Sequence, residues 1–97
     1  METYVIFRRS GWSTVAELRE ATERSASEGD QMPEDISRVR SYLLSEPTGK
    51  LGTVCVFQAS SPEAVRAHAA RAGLPIDEIV KVADTVIVRP DPVPATT

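Results

Sequence analysis

Hydrophobic and polar positions alternate with a period of two in four short runs and recur at helical spacing in two others, in the order β, α, β, β, α, β. The first run, Thr3 to Arg9, sets Tyr4, Ile6 and Arg8 on one face and Val5, Phe7 and Arg9 on the other. Ser10 and Gly11 interrupt it, and Thr14 followed by Glu17 has the form of a capping box, which predicts a helix to about Ser27. The apolar stripe of that helix (Val15, Leu18, Ala21, Thr22 and Ala26) is thin, as befits a helix lying on a sheet. Residues 28 to 35 have loop composition, with Gly29, Asp30, Pro33 and Asp35. Ile36 to Glu46 alternates Val39, Ser41 and Leu43 against Arg40, Tyr42 and Leu44; a turn at Pro47 to Lys50 leads into a third strand, Leu51 to Ala59. Ser60 and Ser61 before Pro62 mark a helix start, and Gly73 a stop after Ala72. Ile79 to Arg89 reads as the fourth strand, and Pro90, Pro92 and Pro94 as the start of an extended, disordered tail. The chain therefore divides into a folded domain, 1–89, and a Pro-rich tail, 90–97.

This order predicts an α+β fold, a ferredoxin-like βαββαβ sandwich with a four-stranded antiparallel sheet and two helices on one face. Apolar residues occupy both faces of the strands, so the face without helices needs a cover from a second chain. That predicts a homodimer joined through the sheet, in a dimeric α/β-barrel type of assembly. A four-residue hairpin loop would pair Glu46 with Leu51, setting Tyr42 opposite Cys55 and Arg40 opposite Phe57.

Composition narrows the function classes. Eleven Lys and Arg against 14 Asp and Glu, interspersed along the 97 residues, offer no concentrated basic face for nucleic acid. No apolar run approaches the roughly 18 residues of a membrane span, and no basic segment precedes a leader-like core. A single cysteine excludes an internal disulfide and fits a reducing compartment, so the expected setting is the cytoplasm, with no membrane and no nucleic-acid partner.

Zinc-spaced Cys and His clusters, Gly-rich phosphate loops and nucleophile elbows are all missing from the sequence. The polar residues set within apolar patterns are Arg40, Tyr42, Cys55, Gln58 and His68. They are the candidate pocket, with no residue assigned to catalysis. His68, the one histidine, falls on the stripe of Val65, Ala69 and Ala72; imidazole titrates near neutrality and is a common ligand of nickel, copper and zinc. Arg40, always charged, selects anions and disfavours a divalent cation nearby.

Three stretches resemble a known family: Arg40-Ser41-Tyr42-Leu43, Cys55-Val56-Phe57-Gln58-Ala59, and Pro62-Glu63-Ala64-Val65-Arg66 continuing through His68-Ala69 to Arg71-Ala72-Gly73-Leu74-Pro75-Ile76-Asp77-Glu78-Ile79. Together, over residues 3 to 88, the chain is similar to the small bacterial nickel-binding proteins long grouped as a domain of unknown function. The resemblance implies a ferredoxin-like subunit, a dimer formed through the sheet and, for some members, bound nickel; His68 is the candidate metal ligand from its imidazole chemistry. The chain departs from the family pattern at Arg40, where histidine is usual, and at Gln58, where glutamate is usual. Each change removes a good ligand, which lowers the expected affinity for nickel.

The expected function is a small homodimeric binding or sensing protein for a nickel-type divalent metal or a small anion. The alternative is a cofactor-free oxygenase or isomerase of the dimeric α/β-barrel kind, with His68 as general base and Arg40 or Tyr42 stabilising an oxyanion.

Overall fold

A computed structural model describes residues 1–93. Six elements follow in order: β1 (Glu2–Trp12), α1 (Val15–Asp30), β2 (Ile36–Ser45), β3 (Leu51–Ala59), α2 (Pro62–Ala72) and β4 (Glu78–Lys81). The sheet order is β2-β3-β1-β4 with every pairing antiparallel, which is the ferredoxin-like arrangement. No helix among the described residues is long and apolar enough to cross a membrane.

Local signals set both helix starts. The Thr14 hydroxyl accepts from the Glu17 amide at 3.1 Å while the Glu17 carboxylate reaches back to the Ser13 amide at 3.0 Å. Ser61 caps α2 by accepting from the Ala64 amide, and Gly73 ends it in the left-handed region at φ 68°. One face of the sheet carries the core: Tyr4, Ile6, Phe57 and Ala59 pack with Ile36 and with Val65 of α2, while Trp12 packs with Leu18 and Ala21 of α1. The other face holds Val5, Phe7, Val54 and Val56, all half-buried, and the exposed Tyr42 and Val80.

Two expectations about β2 and β4 are corrected. The hairpin register is one residue off: Ser45 rather than Glu46 pairs with Leu51, so Tyr42 lies opposite Val54 and Ser41 opposite Cys55. A bulge at Val39 then places Arg38 opposite Phe57 and Arg40 opposite Val56. The cause is Glu46, which leaves the ladder to serve the neighbouring strand. It accepts from the Arg9 side chain and from both the amide and hydroxyl of Ser10, where β1 bulges at φ 48°. Burial raises the Glu46 carboxyl, but the hydrogen bonds from Arg9 and Ser10 outweigh it and hold the group below its usual value. The fourth strand spans four residues and not the run to Arg89. Its last pair is Lys81 with Tyr4, followed by one bond from the Val82 amide to the Thr3 carbonyl at 2.8 Å; β1 begins at Glu2 and is too short beyond that point to pair a run to Arg89. Residues 82–93 form no regular element, and 94–97, which include the Pro94 of the expected tail, lie outside the described residues.

Gly52 lets the hairpin pass close to this Glu46 staple. A Cβ there would collide with the Glu46 carboxylate and sit 2.6 Å from the Arg8 carbonyl oxygen. Gly52→Ala is therefore expected to destabilise the protein by about 1–3 kcal/mol through overpacking, read as a lowered thermal midpoint, whereas Gly49→Ala meets no neighbour and costs only its φ of 86°.

Candidate functional site

The sheet separates the five candidate side chains into two groups. Arg40, Tyr42 and Gln58 face away from the helices and line an open cleft. Cys55 and His68 lie on the helix side, buried in the core. The single pocket expected from the sequence is thus two sites, because the true register sends Tyr42 and Cys55 to opposite faces.

On the open side, the chain beyond β4 crosses the sheet face, and Asp91 reaches the far edge. Its carboxylate accepts from Arg40 Nη1 at 2.9 Å and from the Tyr42 hydroxyl, also at 2.9 Å. The space between this segment and the sheet has a volume of about 690 Å³, within the range of small-molecule sites. Val5, Val39 and Val56 form an apolar floor; Arg40, Tyr42 and Gln58 are polar groups on the sheet side, and Asp84, Thr85, Arg89 and Asp91 line the cleft from the crossing segment. Arg40 and Tyr42 thus form a carboxylate-binding pair, and Asp91 occupies it.

On the helix side, His68 is completely buried, and its Nε2 lies 2.9 Å from the Ser25 carbonyl of α1. A carbonyl only accepts, so Nε2 carries the hydrogen and Nδ1 the lone pair, which has no hydrogen-bond partner. The ring meets Phe57 edge-on at 5.3 Å. Burial lowers the imidazole pKa, the Ser25 hydrogen bond opposes this, and the Arg8 and Arg38 charges lower it further, so the ring is neutral at pH 7. Its role here is to tie α2 to α1. The oxygenase arrangement, with His68 as base beside Arg40 or Tyr42, requires one cavity, and the sheet lies between them.

Among the described residues no three His, Cys, Asp or Glu side chains come together in a way that could hold a metal ion. Cys55 Sγ instead accepts from the Ser41 hydroxyl at 3.2 Å and lies 3.6 Å from Thr53 Oγ1. Two functional residues were not singled out from the sequence. Arg8 is 1% exposed in the core, and its sequence signal was a lone charge in phase with Tyr4 and Ile6. Asp91 had no local signal, since its partners lie about fifty residues earlier in the chain.

Comparison with known proteins agrees with this architecture. The family described as "Nickel responsive protein SCO4226-like" matches residues 4–82. Among solved structures, SCO4226 from Streptomyces coelicolor A3(2) superposes with a TM-score of 0.69 at 21% identity, covering 87% of this chain and 99% of that one. At that identity the likeness is one of fold. No curated protein matches the chain.

The lowered His68 pKa makes stability depend on pH. The unfolded chain takes up a proton near the ordinary value of about 6.5, while the folded chain resists until lower pH, so this contribution is complete above that value and declines as pH falls below it. Thermal midpoints should fall between pH 7.5 and 5.5, and His68→Gln should flatten that slope while lowering stability by about 2–4 kcal/mol at pH 7.5.

Proposed function

The chain belongs to the SCO4226-like family, and from that premise we propose that it is a homodimeric binding protein, without catalytic activity, for a small anion of carboxylate type. The observation that carries this reading is the pair Arg40 and Tyr42, set beside a floor of valines and already holding a carboxylate, that of Asp91. A permanent cation beside a phenol on a valine floor recognises one anionic group attached to a small apolar body. The Asp91 pair is exposed and correspondingly weak, so a free carboxylate displaces it at little cost.

Dimerisation is supported by what the protomer leaves uncovered. Val86, Ile87 and Val88 are 87%, 79% and 89% exposed, three consecutive β-branched residues beside a half-open apolar face. Pairing with a second copy would give this run the strand partner that β1 does not supply, and would close the cleft from water. The family description speaks of nickel. The donors of this protomer do not fit that ion: the one imidazole directs its hydrogen to Ser25 and keeps its lone pair in the core, and the cleft is governed by the Arg40 guanidinium. No nickel ion is assigned to the site.

Calorimetric titration with butyrate and benzoate tests the ligand class. Binding that disappears in Arg40→Ala and tightens about two- to fivefold in Asp91→Asn, where the internal competitor is weakened, is the expected result. Absence of heat with either acid would retire the carboxylate reading. Nickel added to the same protein should give no heat in the micromolar range. Sedimentation equilibrium should give a dimer that Ile87→Asp converts to folded monomer, since Ile87 makes few contacts within its own protomer.

A further inference from the structure

A second cavity lies on the opposite side of the sheet, between the strands and α1. Arg8 extends into this region at 1% exposure, one of the largest completely buried side chains. Its Nη1 donates to the Pro75 carbonyl at 3.3 Å, while Nη2 is buried with no hydrogen-bond partner. Among the described residues no carboxylate forms an ion pair with it. The cavity lining has no acidic residue, and Arg38 adds a second guanidinium. Buried guanidinium groups are ordinarily matched by a counter-charge, because hydrogen bonds to neutral groups do not compensate the lost hydration of an ion.

The same wall supplies neutral donors. Thr53 lies directly opposite Arg8 across the β1–β3 ladder, and Ser41 opposite Cys55 across β2–β3. Ser41 donates to Cys55 Sγ, and Cys55 donates to Thr53 Oγ1, which leaves the Thr53 hydroxyl hydrogen to donate onward. The space measures about 20 Å³, enough for one water-sized occupant and too small for a carboxylate with its substituent. We propose that this cavity binds a single monovalent anion of halide size, held by Arg8 Nη2 and the Thr53 hydroxyl. It is independent of the open-face cleft, from which the sheet separates it.

Trp12, the only tryptophan in the chain, lines the cavity and reports on it. Iodide quenches indole emission and chloride does not, so the full-length protein is titrated with iodide at constant ionic strength, using gluconate, a carboxylate too large for the cavity, as the balancing salt. The expected result is hyperbolic, saturable quenching that chloride reverses competitively, with iodide affinity lowered at least about tenfold in Arg8→Met, which keeps the volume and removes the charge. Thr53→Val, a second variant that leaves Arg8 in place, should weaken iodide by a smaller factor and keeps the test open should Arg8→Met fail to fold. Quenching linear in iodide, unaffected by chloride and equal in wild type and Thr53→Val, would overturn the proposal and leave water as the occupant.

Discussion

The two-residue period of a β-strand makes the sheet a partition, and every functional statement about this protein depends on which side of it a side chain falls. β3 is the reference, since it is paired on both edges and its Cys55 and Phe57 are fixed in the core by Val65 and by the edge-on contact with His68. Once Phe57 points to the helices, Val54, Val56 and Gln58 point away from them. The register of β2 then decides everything about the second strand. The bulge at Val39 sends Arg38 to the helix side and Arg40 to the open side, although the two residues are two apart and an unbroken strand would keep them together.

The two faces have different electrostatics as a result. On the helix side, Arg8 and His68 are buried in a poorly polarisable environment, where burial and the Arg8 charge both disfavour protonation of the imidazole. The His68 to Ser25 hydrogen bond crosses from α2 to α1 and is one of the few polar links between them; Arg24 donating to the Ala72 carbonyl at 2.8 Å is another. On the open side charge is solvated, pairs are weak and exchangeable, and Arg40 holds Asp91 in a contact suited to replacement. The core packs on one face and the solvated Arg40–Asp91 pair lies on the other, so what keeps the protein folded is separated from its open cleft.

Glu46 links the two halves of this arrangement. By leaving the hairpin ladder to bind Arg9 and Ser10, it lengthens the loop by one residue, shifts the register and fixes the bulge that carries β1 on to Trp12. Trp12 thereby closes the end of the core against Leu18 and Leu74 and forms one wall of the Arg8 cavity.

The sequence by itself determined the element order, both helix caps, the glycine stop at Gly73 and the two apolar strand faces, because each depends on residues within one turn or one pleat of each other. It also placed His68 on the buried stripe of α2 and showed Arg40, Tyr42 and Gln58 as polar intrusions in strands. Only the tertiary structure decided which of these residues meet. Glu46 chose its partner 37 residues earlier in the chain, Asp91 found Arg40 and Tyr42 across the whole sheet, and β4 ended at Lys81, close to the start of β1 at Glu2. Register and strand length are properties of pairs of segments, and their free energies come from ladder bonds and ion pairs formed across long loops, which no local pattern encodes.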